Sequence, residues 1–466
     1  MQMGIGEMEY RGKTALVAGA AKSGMASARF LLNCGARVIL TDIRTEEALK
    51  HEIAALREVA SNSGELVLEL GGHRGESFAR CDLVIVSPGV PLSLPFFEIS
   101  RRAGIPVIAE VELAYRHLKG KIIGITGSNG KTTTTSLVAD MLNGGGLKAH
   151  AAGNIGSPLI GFARDSSPAD FYSVELSSFQ LEGIRDFRPF IGSILNLTPD
   201  HMDRYAGFDD YVAAKQRIFM NQAATDIAVL NADDPRTAAM ATNLRAKPFF
   251  FSRLRTPSQG TFVRDDKVIF RDGQSETDLF PVSAITLKGR HNLENVLAAC
   301  AMAILAGTPA GSLKDTVRKF KGVEHRIEWV STIDGVEYYN DSKATNVDAA
   351  IKALESFPKG ILLIAGGRDK AGDFSVLRAL VRERVKHVVL IGEAAGKIRE
   401  ALSGTVDMSD ASSMPEAVST CRTLARPGDV VLLAPACASF DMFENYEHRG
   451  RVFKEAVRNL TSLSRH

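Results

Sequence analysis

Four residues, Gly127, Gly130, Lys131 and Thr132, are spaced so that together they could hold a phosphate group. They follow a short apolar run, 122–125, and precede a segment whose apolar residues recur at helical spacing. That order predicts a buried strand, a tight glycine turn and a helix whose N-terminus points at the turn. Backbone N–H groups and the helix dipole would attract an anion there. Lys131 would then reach the β- and γ-phosphates of a nucleotide, and Thr132 would bind Mg²⁺.

This loop is shorter than the general phosphate-loop pattern, which has a further glycine five residues before the glycine that precedes the lysine. Ile125 occupies that position here. The alternative is an ordinary strand-to-helix turn without a ligand. Because glycine, lysine and threonine are adjacent directly after an apolar strand, the binding of ATP or GTP is favoured over that alternative. The loop alone does not indicate how the phosphate is used.

Length and composition limit the kinds of protein that this can be. The chain has 466 residues, which at about 150 residues a domain suggests three domains. Its 56 basic and 54 acidic residues leave a net charge of +2, without the basic excess of a nucleic-acid-binding protein. The five cysteines are scattered and show no metal-binding spacing. With no secretory signal and no apolar run that could span a bilayer, we expect a soluble cytoplasmic protein.

The first predicted domain, residues 1–119, begins as a β-α-β unit with a glycine-containing turn after its first strand. Asp42 closes the second strand, where an acid that binds a ribose or a base normally stands, and Ser87 ends a later apolar strand. Ala21 replaces the middle glycine of the dinucleotide fingerprint, and its Cβ would hinder the close approach of a pyrophosphate. The sequence therefore disfavours NAD as the ligand, and the hypothesis that another nucleotide binds here is kept. The alternative is that Asp42 is a turn residue and Ser87 a strand-end cap.

The central predicted domain, residues 120–322, places an acid and a histidine after apolar strands. Glu175 ends one strand, and His201 follows another. Because loops that follow parallel strands gather at one edge of a sheet, both side chains are expected to face the phosphates beside Thr132. A carboxylate and an imidazole suit a divalent cation already held by phosphate oxygens. Each residue taken alone is equally well explained as a surface or capping residue.

Lys215 lies within the apolar stripe of a predicted helix, on the same face as Tyr211, Ile218 and Phe219. Such a lysine either extends its ammonium to solvent or to an acid, or is buried with a lowered pKa and a reactive amine. From the residues alone the first alternative is favoured.

Two further features belong to the central domain. Residues 246–287 alternate apolar and polar positions between turns, which predicts antiparallel hairpins attached to the parallel sheet. A long apolar helix follows, and Asn292 and Asn295 lie on one of its faces. That placement suits contact with the edge of a base and equally suits helix capping.

The third predicted domain, residues 323–466, contains four apolar strands, each followed by a polar or glycine-containing loop. This pattern indicates another open sheet, whose loops hold the basic and hydroxyl side chains that bind carboxylates or phosphates. Solvated loop charges are the alternative. The predicted fold class is therefore α/β, with three domains that are each an open, largely parallel sheet flanked by helices, the central one of the phosphate-loop ATPase type with added antiparallel hairpins.

Several blocks of the sequence, spread in order over all three segments, resemble the Mur ligases. They are Gly127–Thr132, Glu175–Glu182, Asp200–Arg204, Gly289–Asn295, His325–Arg326 and Asn340–Asn346. Folylpolyglutamate synthases share the phosphate loop and the general plan. Two more blocks, 366–374 and 434–439, are similar to the branch that adds D-glutamate, and the Asp-Asn-Pro-Arg block of the diaminopimelate-adding branch is absent.

The resemblance implies an ATP-dependent amide ligase that joins D-glutamate to UDP-N-acetylmuramoyl-L-alanine through an acyl phosphate, in the synthesis of peptidoglycan precursors. The partners would be these small molecules, with no nucleic acid and no membrane span, and the enzyme is expected to be a monomer. The third domain would bind the incoming amino acid.

Roles for the ATP and metal site follow from the resemblance. Lys131 is implied as a catalytic residue, and the metal ligands would be Thr132, Glu175, His201 and Lys215. Lys215 matches a lysine that is carbamylated in the family, and its carbamate would help to hold the second of two Mg²⁺ ions. The further residues implied at the ATP site are Gly127, Ser128, Asn129, Gly130, Thr133, Asn292, Asn295, Arg326 and Asp341.

The two other substrates have implied sites as well. The residues that match the site of the UDP-linked substrate are Ser23, Asp42, Ser87, Asn154 and His201. Those around D-glutamate are Thr345, Lys370, Ser439 and Tyr446, together with Lys343 as a catalytic residue. Tyr446 stands where the family pattern has phenylalanine, and Ala21 and Ile43 also depart from the pattern.

A rival hypothesis from another class is a phosphate-loop switch that hydrolyses a nucleotide slowly to change partners. Such a switch gives no reason for the nucleotide-type first domain or for the cationic loops of the third. The residues therefore favour the ligase.

Overall fold

Three separate sheets make up the fold, which we describe from a computed structural model covering residues 9–202, 204–273, 275–369 and 372–463. The contacts divide the chain into two compact units. The first unit comprises residues 1–282 with 294–316 and contains two of the sheets, and the second comprises 283–293 with 317–466 and contains the third. The three-domain α/β prediction is confirmed at the level of the sheets, and the domain boundaries at 119 and 322 stay predictions.

The first sheet has five parallel strands in the order β3-β2-β1-β4-β5. Its strands are β1 (Thr14–Ala18), β2 (Arg37–Asp42), β3 (Glu65–Leu70), β4 (Leu83–Val86) and β5 (Val107–Ala109). The helices that accompany them are α1 (Lys22–Asn33), α2 (Lys50–Ser63), α3 (Gly75–Arg80), α4 (Pro95–Arg102) and α5 (Glu110–His117). The strand order reverses between β1 and β4, so the loops that follow these two strands diverge and leave a crevice suited to a ligand.

The second sheet has nine strands in the order β14-β13-β12-β11-β10-β9-β6-β8-β7. Its strands are β6 (Lys121–Thr126), β7 (Ala149–Gly153), β8 (Phe171–Glu175), β9 (Ile191–Ile194), β10 (Ile227–Asn231), β11 (Lys247–Ser252), β12 (Gly260–Arg264), β13 (Lys267–Asp272) and β14 (Ser275–Pro281). Strands β12, β13 and β14 are antiparallel, as predicted. The first strand of the predicted hairpin region is an exception, because β11 pairs parallel both with β10 and with β12.

The helices of this part are α6 (Lys131–Gly144), α7 (Ser178–Glu182), α8 (Phe208–Gln216), α9 (Pro235–Met240), α10 (Arg290–Leu305) and α11 (Leu313–Lys319). Strand β6 lies between β8 and β9, and all three run parallel. The chain therefore leaves β6, β8 and β9 at the same edge of the sheet, and this edge carries the phosphate loop. A buried apolar core that includes Ile194, Ile218 and Phe219 packs beneath it.

The third sheet has six strands in the order β15-β16-β20-β17-β18-β19, with only β15 antiparallel to its neighbour. Its strands are β15 (Glu328–Ile333), β16 (Val336–Asn340), β17 (Ile361–Gly366), β18 (Val385–Ile391), β19 (Asp407–Asp410) and β20 (Val430–Leu433). Its helices are α12 (Val347–Glu355), α13 (Arg378–Arg384), α14 (Ala395–Ala401), α15 (Met414–Leu424) and α16 (Tyr446–Leu463). None of the helices in the described residues is long and apolar enough to cross a membrane.

Candidate functional site

The phosphate loop connects β6 to α6 and is shaped by two glycines with positive φ. Gly127 has φ 147° and Gly130 has φ 82°. A Cβ at Gly130 would lie 2.2 Å from Oδ1 of Asn295, so this position also requires the absence of a side chain. The same distance places the buried Asn295, on α10, directly against the loop.

The loop is braced by the segment that follows β9. The backbone N–H of Ser128 donates to Asn196 O at 3.0 Å, and that of Asn129 donates to Asn196 Oδ1 at 2.9 Å. The hydroxyl of Ser128 donates to Thr198 O at 2.8 Å. These bonds fix the loop before any ligand binds, which lowers the entropy cost of binding a phosphate.

Lys131 and Thr132 open α6. Nζ of Lys131 donates to the carbonyl oxygens of Gly127 at 2.9 Å and Ser128 at 2.8 Å, so its ammonium lies over the loop. Thr132 and Thr133 are buried in the first turn of the helix. A lysine over the loop and a threonine at the helix start have the chemistry of a phosphate and Mg²⁺ site.

Lys215 is buried rather than solvated. On α8 it is 1% exposed, and Nζ donates to Gly127 O at 2.9 Å and approaches Thr126 Oγ1 at 3.4 Å. Nζ also lies 4.6 Å from the ring centroid of Tyr211, and it forms no ion pair with any described residue. Burial, reinforced by repulsion from the Lys131 ammonium, lowers the pKa of Lys215 well below its ordinary value. The alternative favoured from the residues, an ammonium extended to solvent or an acid, is therefore wrong.

Glu175 ends β8 and is 2% exposed. Its Oε1 accepts a hydrogen bond from Asn154 Nδ2 at 3.0 Å. Its Oε2 is buried, and none of the described residues donates a hydrogen bond to it. Buried polar atoms are nearly always paired, so this oxygen is suited to a cation. Glu175 pairs with Ile125 of β6, so its carboxylate lies at the sheet edge that carries the phosphate loop, and a carboxylate oxygen is a ligand that suits Mg²⁺.

His201 sits on the loop after β9 with φ 57°, and its side chain is 46% exposed. Nε2 lies 3.6 Å from Asp200 Oδ2, and the ring centroid lies 4.9 Å from that of Phe179. Its role as a metal and substrate ligand stays a prediction.

A preformed group of metal-capable side chains occurs elsewhere. Within the described ranges, three or more His, Cys, Asp or Glu ligand atoms come within 4.8 Å of one another only at Glu324, His325 and Glu328. The Lys454 ammonium donates to both glutamates, at 3.0 Å for Glu328, so a cation already balances this group. It carries no metal proposal.

At the edge of the first sheet, Asp42 is buried and fully paired. Oδ2 accepts from Ala20 N at 2.6 Å and Arg44 Nη2 at 2.9 Å, and Oδ1 accepts from Arg44 N at 2.8 Å and Arg44 Nε at 3.0 Å. Burial alone would raise the pKa of Asp42, but these bonds outweigh it and lower the pKa to about 2. Because four donors fill the lone-pair directions of a carboxylate, a nucleoside would have to displace one of them.

Ser87 faces the loop that follows β1. Its hydroxyl donates to Gly19 O at 2.8 Å, and Ala20 in the same loop bonds to Asp42. The structure thus brings Ser87 and Asp42 to the loop between β1 and α1. Ser23 lies in the first turn of α1 and is half-buried.

A cavity beside Ser87 contains residues to which the sequence assigned no role. Phe179, Gln180 and Arg204 line it together with Ser87. Gln180 is 1% exposed, and its Oε1 accepts from Ser177 N at 2.9 Å, while no described residue accepts from its Nε2. The Arg204 guanidinium lies 3.7 Å from the Phe179 ring centroid. The sequence signal for these three residues was their place in the blocks Glu175–Glu182 and Asp200–Arg204, to which no individual role was assigned.

In the second unit, the predicted ATP residue Arg326 precedes β15 and Asp341 follows β16, while Asn292 lies on α10. Asp341 is buried, and burial raises its pKa to about 7, although the positive charges of Arg326 and Lys343 oppose the shift. The Asn292 side-chain amide donates to Lys288 O at 2.7 Å, and its role at the ATP site stays a prediction.

The predicted D-glutamate residues surround the ends of β16 and β20. Lys343 Nζ donates to the Tyr446 hydroxyl at 3.2 Å. Thr345 donates its N–H to Lys343 O at 2.8 Å, and Ser439 is buried in the loop after β20. Lys370 lies outside the described residues.

Arg449, on α16, was also missed by the sequence reasoning. It is fully buried and donates to Ser342 O at 2.8 Å, Cys437 O at 3.1 Å and Ala438 O at 3.3 Å. Burial lowers its pKa to about 10. It joins the loops that follow β16 and β20, and no sequence spacing signals such a contact.

Family models match the chain along most of its length. A Mur ligase MurD-like N-terminal domain matches residues 13–109, a Mur ligase middle domain matches 125–303, and a Mur ligase glutamate ligase domain matches 325–437. The chain belongs to the Mur ligase family, whose members are ATP-dependent ligases.

Among curated relatives, the UDP-N-acetylmuramoylalanine–D-glutamate ligase of Koribacter versatilis is 49% identical, with 97% of this chain and 99% of that protein covered. The ligase of the same name from Acidobacterium capsulatum is 51% identical, with 97% of each chain covered. Of solved structures, UDP-N-acetylmuramate–alanine ligase from Thermotoga maritima matches with a TM-score of 0.59 at 19% identity, covering 96% of this chain and 99% of that one. This last likeness supports the fold.

Proposed function

We propose that the protein is an ATP-dependent ligase that adds D-glutamate to UDP-N-acetylmuramoyl-L-alanine in the synthesis of peptidoglycan precursors. The observation that carries the proposal is the edge of the second sheet. A braced phosphate loop lies there, and its Gly127 O accepts from both the half-buried Lys131 and the buried Lys215. A buried carboxylate oxygen of Glu175, to which no described residue donates, ends a strand at the same edge. The curated relatives that share about half of its residues bear the name of this reaction.

In the proposed reaction a carboxylate oxygen of UDP-N-acetylmuramoyl-L-alanine bonds to the γ-phosphorus of ATP, and the bond to ADP breaks. The amine nitrogen of D-glutamate then bonds to the carbonyl carbon of the acyl phosphate, phosphate leaves, and the nitrogen loses a proton. Neither step requires a covalent bond to the protein, so catalysis depends on positioning and on neutralising charge.

The phosphate site would be formed by the loop and the start of α6. Lys131 would leave its two carbonyl acceptors to neutralise the β- and γ-phosphates, and the remaining contacts would come from Gly127, Ser128, Asn129, Gly130 and Thr133. We propose Asn292, Asn295, Arg326 and Asp341 as the other ATP contacts. The packing of Gly130 against Asn295 supports the placement of one of them.

Mg²⁺ would be held by Thr132, Glu175 and His201, where it would neutralise the charge that builds up during phosphoryl transfer. The unpaired Oε2 of Glu175 supports this ligand set. We further propose that Lys215 is carbamylated and that its carbamate helps to hold a second ion. Its burial and lowered pKa favour the neutral amine, which is the form that reacts with CO₂.

The UDP-linked substrate would bind at the edge of the first sheet through Ser23, Asp42 and Ser87. Asn154, whose amide already orients Glu175, and His201 would meet its acyl arm. The cavity lined by Ser87 and Gln180 extends this site, and the unmatched amide donor of Gln180 supports the presence of an acceptor group there.

D-Glutamate would bind at the loops after β16 and β20. We propose contacts from Thr345, Lys370, Ser439 and Tyr446, with Lys343 placed to neutralise the anionic groups being joined. The concentration of donors around these loops supports an anionic ligand. We place the reaction in the cytoplasm, where ATP is supplied, and expect the enzyme to act as a monomer on small molecules.

Phosphate release by the purified protein tests the proposal. With ATP and Mg²⁺ present, release is expected only when UDP-N-acetylmuramoyl-L-alanine and D-glutamate are both added, and other amino acids should not replace D-glutamate. ATP turnover that ignores both substrates would contradict the ligase and would fit a nucleotide switch instead.

A further inference from the structure

The ammonium of Lys343 contacts the phenol of Tyr446 in two ways. Nζ donates to the Tyr446 hydroxyl at 3.2 Å and lies 5.0 Å from the centroid of its ring. A phenol oxygen accepts hydrogen bonds and an aromatic face attracts a cation, so both contacts stabilise one position of the ammonium. Lys343 lies on the loop after β16, two residues beyond the buried Asp341.

Tyr446 is anchored by contacts that do not involve its hydroxyl. Ser342 Oγ donates to Tyr446 O at 2.8 Å, and Arg449 Nε donates in turn to Ser342 Oγ at 3.0 Å. The ring of His325 lies edge-on to the Tyr446 ring, with 6.1 Å between centroids. The position of the ring therefore depends on the backbone and on packing, and the hydroxyl adds the contact with the Lys343 ammonium.

We propose that the Tyr446 hydroxyl is a positioning residue for Lys343: it fixes the ammonium so that its other N–H donors meet a carboxylate of the incoming amino acid. This inference rests on the function proposed above. A lysine side chain has a flexible stem and three donors, and an acceptor that holds one donor lowers the entropy lost when the others bind an anion. A phenylalanine at this place would keep the ring and lose the acceptor.

The role predicts a particular kinetic change. Removing the hydroxyl should weaken the binding of D-glutamate and leave the binding of ATP and of the UDP-linked substrate unaffected. A hydroxyl that merely stabilised the fold would instead lower thermal stability, with no preference for one substrate.

The matched variants are Tyr446→Phe and Tyr339→Phe. Tyr339 is buried in the same sheet, and its hydroxyl donates to Glu337 Oε1 at 3.3 Å, so this control also removes a buried hydroxyl that bonds to a charged group. In Tyr446→Phe we expect KM for D-glutamate to rise about fivefold, the scale of one hydrogen bond. The other two KM values and the Tm should match those of the wild type. In Tyr339→Phe all three KM values should stay unchanged.

Two other results have distinct meanings. The positioning role is wrong if the wild type turns over with D-glutamate and KM for D-glutamate is the same in Tyr446→Phe. It is also wrong if all three KM values rise together with a lower Tm. In both cases the proposed function stands. If the wild type shows no turnover with D-glutamate, the proposed function is wrong and the inference falls with it.

Discussion

Two buried carboxylates end strands in the first unit, and their surroundings are opposite. Asp42, at the end of β2, accepts hydrogen bonds from Ala20 N at 2.6 Å and from the side chain of Arg44 at 2.9 and 3.0 Å. Glu175, at the end of β8, accepts one side-chain bond, from Asn154 at 3.0 Å. Its second oxygen has no donor in the part of the chain that the structure describes.

The difference shows which carboxylate receives all its hydrogen bonds from the protein itself. A buried charge is costly unless it is paired, so the paired Asp42 contributes to stability without a ligand. No described residue donates to the second oxygen of Glu175, and a cation bound there, as proposed, would offset the cost of burying it. The position of an acid at a strand end is therefore not enough to indicate a metal site, and the pairing of each oxygen shows whether a bound donor must be displaced before a ligand can reach it.

Replacing Lys215 should have the largest effect. If its carbamate holds a metal, activity in Lys215→Ala should fall by about a hundredfold or more, the scale for groups that stabilise charge in a transition state. A short-chain carboxylic acid such as acetate should restore part of it by occupying the place of the carbamate. The recovery is measured as turnover of Lys215→Ala with and without the acid.

The control is Lys148→Ala, since the Lys148 side chain is 63% exposed and its ion pair is remote from the loop. Full activity in Lys215→Ala would rule out the carbamate.

Glu175→Gln should weaken the use of Mg²⁺. The amide keeps the size of the side chain and removes the charge, so the Mg²⁺ concentration that gives half-maximal turnover should rise about tenfold. The control is Glu65→Gln, because Glu65 forms an exposed ion pair with Arg37 on the first sheet. An unchanged Mg²⁺ requirement in Glu175→Gln would remove this residue from the metal site.

The comparison itself predicts opposite effects on stability. Asp42→Asn weakens charge-assisted hydrogen bonds, so the free energy of unfolding should fall by about 1–2 kcal/mol. Glu175→Gln, measured without Mg²⁺, should leave the free energy of unfolding unchanged or slightly higher because it removes an unmatched buried charge. Urea unfolding of both variants gives the two values. A larger loss in Glu175→Gln than in Asp42→Asn would contradict the contrast.

The smallest effect should appear in the pH dependence of the Asp42 contribution. The pKa of Asp42 is lowered to about 2 in the folded protein, below its value near 3.9 in an unfolded chain. The stabilisation is therefore complete above pH about 4 and is lost as the pH falls toward 2. The stability difference between the wild type and Asp42→Asn should shrink across that window in unfolding measured at several pH values. A difference independent of pH would show that the charge is not involved.

The sequence predicted the interior of each sheet well and the edges poorly. Glycine-bounded apolar runs marked central strands such as β1, β6 and β17, because both faces of a parallel strand are buried. The strands that were missed are β3, β5, β7, β15 and β19, and every one of them is an edge strand of its sheet. Strand β5 has only three residues, and β15 and β19 carry polar residues, so their apolar patterns are too short or too interrupted to indicate a strand.

The candidate site was predictable to the extent that it depends on local order. The glycines, Lys131 and Thr132 are adjacent in the chain, so their spacing was informative. The burial of Lys215 depends on which elements cover α8, and the apolar stripe left two alternatives open. Arg449 donates to Ser342 O, a contact between segments far apart in the sequence that no local pattern records. Gln180 shares a cavity with Ser87, which is also distant from it in the chain.

The most direct test of the metal site is crystallography with Mn²⁺ in place of Mg²⁺ and a non-hydrolysable ATP analogue. Anomalous scattering locates the metal without assumptions about its ligands. The account predicts a peak within bonding distance of Glu175 Oε2 and the Thr132 hydroxyl. A peak confined to Glu324, His325 and Glu328, or no peak beside Glu175, would contradict it.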